Sequence, residues 1–362
     1  MEQCDWGHGA APFRDELLSS WSNRIVSRHK LKPDRPIMPV QVEYRGRRRS
    51  WVSASVNPTD EWLSKAARRS GQPAGALASL ALSRRYPHLP WYWYSWNTPP
   101  IYAGKIPVKN PSLMWSWCSR CLAEDYAAGR CAHIRHEWVV AYSTFCRIHR
   151  WPLSSRCQIC GSGSWHFSTL PGEPTRMQCS GCNRFLERSE PSAFHDGDNP
   201  SAITREIMAV ENEIAKALRG KIPDQFRFNF TSPKELVCEF VDFPQLLAKS
   251  ASSGRYWRRP VEHAYGPVFP DIDYDRYSFD NHYPLAVVNK SYARRFLAVT
   301  ALLINGINRN AIFGDSPKLG DSAARLFEMM DWDGVAEVKK RKRYWSPDVR
   351  LRFTLLLRSF RP

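Results

Sequence analysis

The chain has 362 residues, 43% of them hydrophobic and 24% charged, so it can bury real cores and wholesale disorder is excluded. Its 52 Lys and Arg against 35 Asp and Glu give a net charge of +17, which favours a polyanionic partner without specifying a fold. The longest apolar run, Leu297 to Ile304, is far short of a bilayer span, so no membrane partner is expected. The opening MEQCDWGHG lacks a basic segment followed by an apolar one, so secretion is not expected either.

The first third reads as helical. Leu17, Leu18, Trp21 and Ile25 recur at helical spacing. The run Arg45, Arg47, Arg48 and Arg49 is either a phosphate contact or a solvated turn. Asn57-Pro58 opens a helix with Trp62, Leu63, Ala66 and Ala67 on one face and Gly71 as its stop. A further helix is expected from Pro73 to about Arg85. The two, joined across Ser70-Gly71-Gln72, suit a helix-turn-helix near 58–86 or two packed helices of an α-domain. From Tyr86 to Tyr102 the chain carries seven aromatics and four prolines, more often a packing connector than a platform for stacking bases.

The cysteines carry the strongest signal. Eight of ten lie between Cys118 and Cys182. Seven of them and one histidine form pairs two residues apart: Cys118/Cys121, Cys146/His149, Cys157/Cys160 and Cys179/Cys182. Reduced intracellular thiols disfavour a disulfide framework, and four tandem pairs outside a strand-helix-strand context disfavour redox motifs. Eight soft ligands suffice for two closed tetrahedral Zn²⁺ sites. Sequential pairing gives Cys118, Cys121, Cys146 and His149 to one ion and Cys157, Cys160, Cys179 and Cys182 to the other; a cross-braced pairing stays open. Filled donor sets read as structural, not catalytic. Cys131, His133 and His136 are spare candidates that read better as packing or surface residues.

Past a polar stretch at 187–200, residues 201–219 form an amphipathic helix with Ile203, Ile207, Val210, Ile214 and Leu218 on one face. Further helices are expected at 292–305, 321–330 and from Ser346 onward. From Lys339 to Arg361 there are nine basic residues and one acid. The run Lys339, Lys340, Arg341, Lys342 and Arg343 is a candidate DNA contact. The fold expected is therefore mainly α with a central pair of zinc ribbons, in three parts: 1–112 helical, 113–190 the tandem ribbons, 191–362 helical and basic.

These residues resemble a family. Asp15-Glu16-Leu17-Leu18-Ser19-Ser20-Trp21 with Arg24, then Cys118-Ser-Arg-Cys121-Leu-Ala-Glu124-Asp125, Arg135, Trp138, Cys146-Arg-Ile-His149, Leu153 and Cys157-Gln-Ile-Cys160-Gly161, are similar to the TniQ proteins, which include TnsD. Ile134-Arg135 stands where the family often has Trp-Arg, and Ser119 and Gln158 stand where it often has Pro. The resemblance covers about Phe13 to Trp165. It implies a non-enzymatic adaptor of transposition, cytoplasmic and nucleoid-associated in a bacterium. Such an adaptor recognises target DNA or a CRISPR surveillance complex and recruits the transposon's ATPase regulator, which brings the transposase. A homodimer is compatible with it. The alternative is a zinc-ribbon transcription regulator outside transposition; a metal-dependent nuclease is disfavoured because no spare Asp/Glu/His set is visible.

Overall fold

The computed structural model describes residues 11–30, 40–44, 47–52, 55–87, 94–98, 101–102, 106–107, 112–188 and 202–218. The chain divides into two compact units, Met1–His195 with Leu285–Lys290, and Asp196–Pro284 with Ser291–Pro362. The described part is partly helical, with small two-stranded antiparallel sheets between the helices.

In the first unit α1 (Leu18–Arg28) buries Leu18, Trp21 and Ile25, the stripe its spacing demands. These pack on Leu63, Ala66, Leu77 and Leu80. Strands β1 (Val40–Tyr44) and β2 (Arg47–Val52) pair antiparallel. Helix α2 (Asp60–Ser70) is capped by Thr59, whose side chain accepts from the Trp62 N–H, two residues later than the Asn57-Pro58 start expected. Its end is as expected: Gly71 takes the left-handed conformation at φ 66°.

The single helix expected from Pro73 to Arg85 is broken. It forms α3 (Ala74–Ala78) and α4 (Leu82–Arg85), with Ala81 extended between them. Tertiary hydrogen bonds cause the break. Leu82 and Ser83 donate to the Ser55 and Val56 carbonyls at 2.9 and 2.8 Å, and the Leu80 carbonyl accepts from His136 Nε2 at 2.9 Å. A five-residue α3 is too short for the recognition helix that the helix-turn-helix reading requires.

Short strands β3 (Trp96–Thr98), β4 (Ile101–Tyr102), β5 (Ile106–Pro107) and β6 (Ser112–Leu113) pair β3 with β6 and β4 with β5. Tyr86 and Tyr94, from the aromatic stretch, are buried, as a packing connector requires. Then come α5 (Ser119–Ala127), a 3-10 turn at His136–Val139, and the hairpin of β7 (Trp165–Ser168) with β8 (Arg176–Cys179). The segment before α1 is locked to the 3-10 turn: Leu17 donates to Ile134 O (2.8 Å) and His136 to Asp15 O (2.9 Å). Beneath them lies a fully buried ion pair, Glu16 to Arg24 at 2.8 Å.

In the second unit only α6 (Ala202–Leu218) is described, within one residue of the span its periodicity predicts. Ile207 and Val210 are buried. The helices expected at 292–305, 321–330 and from Ser346 lie outside the described residues, as do Cys4 and Cys238.

Candidate metal centres

Three of the four two-residue pairs share one backbone turn. The carbonyls of Cys146, Cys157 and Cys179 accept from the N–H groups of Arg150, Gly161 and Asn183 at 2.7, 2.8 and 2.9 Å. The same three cysteines donate their own N–H to the carbonyls of Trp151, Ser162 and Arg184. Each turn closes through a left-handed residue: Arg150 at φ 57°, Gly161 at φ 72° and Asn183 at φ 57°. Glycine reaches that region without steric cost; Arg150 and Asn183 do so only because both hydrogen bonds hold them there. The curl sends the first and fourth side chains of each turn to the same side.

The fourth pair is built differently. Cys118 is the N-cap of α5 and Cys121 sits in its first turn. Helical spacing puts both sulfurs on one face, and the free N–H groups at a helix start favour thiolates. Spacing alone makes all four pairs look alike, hence the expectation of two ribbons. Only Cys157/Cys160 and Cys179/Cys182 combine two such turns, around the β7–β8 hairpin. The other group joins one turn to a helix start.

The structure brings the donor atoms together in two sets: Cys118, Cys121, Cys146 and His149, and Cys157, Cys160, Cys179 and Cys182. Within each set all donor atoms lie within 4.8 Å of one another. In the first, His149 Nδ1 is 3.5 Å from Cys118 Sγ, 3.3 Å from Cys121 Sγ and 3.6 Å from Cys146 Sγ, and Cys121 Sγ is 3.5 Å from Cys146 Sγ. In the second, the Cys157–Cys182 and Cys160–Cys179 sulfur distances are 3.7 and 3.5 Å. A tetrahedron with metal–sulfur bonds of about 2.3 Å has edges of about 3.8 Å, so both sets have nearly the right size for one ion.

The thiols are also in electrostatic conflict. Hydrogen-bonding neighbours Cys118 and Cys146, with burial, push Cys121 up; the same kind of contact, from Cys118 and Cys121, pulls Cys146 down. Cys179 is held down to about 7 although burial raises it, because the Cys182 and Gly181 amides hydrogen-bond to it. A divalent cation at the centre resolves the conflict by stabilising every thiolate at once. Seven thiols and one imidazole therefore fit a soft divalent metal such as zinc.

Residues around the first set complete its electrostatics. His149 presents Nδ1 to the sulfurs while its Nε2 lies 2.8 Å from Glu124 Oε1, which fixes the tautomer that leaves Nδ1 free to bind a cation. Arg135 binds Asp15 (Nε, 3.0 Å) and Asp125 (Nη2, 3.1 Å). Burial opposes its charge, but the Cys121 thiol and these carboxylates outweigh that and raise its pKa. Sequence reasoning assigns neither Glu124 nor Arg135 a place at a metal centre. Glu124 does carry a signal: three residues beyond Cys121 on a helix, it falls on the same side.

The spare candidates lie outside both sets. His133 Nε2 meets Asp15 at 3.1 Å and its ring stacks on Phe13; His136 is buried against Leu80 O. Cys131 belongs to neither set. Of the DNA-contact candidates, Arg47, Arg48 and Arg49 fall in β2, so their backbone is a strand and not a turn. Arg45 and the run Lys339, Lys340, Arg341, Lys342 and Arg343 lie outside the described residues. No described helix is long and apolar enough to cross a membrane.

The fold and the site define a helical module threaded through a four-donor Cys/His set, with a second four-donor set on the hairpin that follows. Residues 9–153 match the TniQ family model. The match ends before Cys157, so the first donor set lies inside the matched segment and the second beyond it. No curated protein and no solved structure matches the chain. At the level of the family, a TniQ domain implies a role in selecting targets for transposition.

Proposed function

We propose that the chain is a non-enzymatic target-selection adaptor of a transposon, held in shape by two structural zinc ions. Cys118, Cys121, Cys146 and His149 would hold one ion; Cys157, Cys160, Cys179 and Cys182 would hold the other. Bound zinc there supplies folding free energy. Four protein donors leave no position for water or substrate, which suits a scaffold and not hydrolysis. The observation that carries the reading is the TniQ match over residues 9–153, with one closed donor set inside it.

On this reading the partners are target DNA, or an RNA-guided DNA-targeting complex such as a CRISPR surveillance complex, on one side, and the transposition ATPase and transposase on the other. The net charge of +17 suits the DNA partner, with Arg45 to Arg49 and Lys339 to Arg343 as contacts. The place of action is the nucleoid of a bacterial cytoplasm, and a homodimer is compatible with it. Mapping bound DNA and protein partners in the native cell tests this. Recovery of an ATPase and transposase with insertion-site DNA is expected; promoter DNA without either would favour a zinc-ribbon transcription regulator.

A further inference from the structure

An open cavity of about 690 Å³ lies between the end of α1, the loop after α5 and the turn joining β7 to β8. That volume is within the range of sites that take small molecules, about 300–1,000 Å³. Arg28 and Lys30 stand on its wall, and neither makes an ion pair among the described residues. A cation at a helix C-terminus is stabilised by the helix dipole, which accounts for Arg28. It does not account for Lys30, which is past the helix and held in the left-handed region at φ 49°.

The acid on the wall, Glu173, lies 3.9 Å from Arg176, so its charge is partly met from outside the cavity. Thr169 and Thr175 line it too; their hydroxyls are 2.9 Å apart, and Thr169 continues to Ser27 at 3.1 Å. Cys131 lies on the wall against the guanidinium of Arg24. Arg24 is buried, and its Nη1 has no hydrogen-bond partner. Its charge is met by Glu16 at 2.8 Å, so among the described residues the unpaired positive charge at the cavity is that of Arg28 and Lys30 on the rim.

We propose that this cavity binds a phosphate group, with Arg28 and Lys30 as the charged contacts. The phosphate belongs either to a nucleic-acid backbone or to a free phosphate. The backbone source rests on the DNA-associated reading above; the phosphate chemistry does not.

Cys131 is a built-in reporter, because an occupant would shield its thiol. The test compares the full chain with the double variant R28Q/K30Q, whose side chains are exposed and whose metal content serves as the check on folding. Iodoacetamide labelling of Cys131 is followed by peptide mass spectrometry with no addition, with a duplex oligonucleotide, or with inorganic phosphate. Fluorescence anisotropy of the duplex is read across a salt series.

Duplex is expected to slow Cys131 labelling at least fivefold in the wild-type chain and not in the variant. The variant's slope of log affinity against log salt should be flatter by about 1–2, at roughly 0.9 for each phosphate no longer neutralised. Protection by inorganic phosphate without protection by duplex assigns the site to a free phosphate. Failure of the wild-type chain to bind duplex at all would count against the DNA-associated reading, and the phosphate arm would still decide the cavity. No protection by either ligand, or protection that persists in R28Q/K30Q, would overturn the proposal.

Discussion

Glu124 Oε1 sits 2.8 Å from His149 Nε2, on the side of the imidazole opposite the three sulfurs that face Nδ1. A carboxylate so placed orients a histidine and makes its other nitrogen a better donor to a metal. Glu124→Gln should lower zinc affinity at the first set by about tenfold, within the range seen for such outer partners, and leave the second set unchanged. Competition with a chromophoric chelator resolves the two sites; equal weakening of both would contradict the assignment.

Gly181 lies between the second set's last two cysteines without slack. A Cβ there would meet Ser162 Cβ at 2.9 Å and Cys160 Sγ at 3.2 Å. Gly181→Ala should therefore displace Cys160 and weaken the second set about tenfold or more, with the first set intact. The same competition assay checks it.

Glu16 accepts from Arg24 Nε and Nη2, Ser20 Oγ and the Phe13 N–H, all at 2.8–3.1 Å. Removing one partner of a buried pair leaves an uncompensated charge. Glu16→Ala should cost about 3–5 kcal/mol in denaturant unfolding. The double variant E16L/R24M should recover most of that loss, because it removes the stranded guanidinium as well.

Much of the fold and of the metal centres is legible in the sequence, and the rest is hidden for identifiable reasons. The α1 and α6 stripes and the Gly71 stop depend on local spacing and conformation, which the sequence carries directly. The four two-residue pairs are legible for the same reason. Val40-Gln-Val-Glu-Tyr44 has the alternation of a strand, but the arginines beside it point towards a turn. The break between α3 and α4 cannot be read locally, because part of its cause is His136, more than fifty residues away. Arg135 is hidden likewise: its neighbours Asp15, Cys121 and Asp125 converge only in the fold.

Burial holds the His136 pKa below its ordinary 6.5, against the hydrogen bond to Leu80, and the charge of Arg85 lowers it further. The folded state therefore binds fewer protons than the unfolded state once pH falls below about 6.5. Stability should fall in that direction, with a slope of at most about 1.4 kcal/mol per pH unit from this group. His136→Gln should remove that component, so the stability difference between variant and wild type narrows as pH drops from about 7 to about 5. Thermal unfolding across that range reads it; a difference independent of pH would show that His136 does not titrate.

Native mass spectrometry of the intact chain and of His149→Ala counts the ions on each molecule and so decides whether the two donor sets hold separate zinc ions. Two closed donor sets predict two zinc ions on the wild-type chain. They also predict one firmly held ion in His149→Ala, still bound by Cys157, Cys160, Cys179 and Cys182. A wild-type chain carrying a single zinc, or a variant that loses both ions together, would contradict two separate sites.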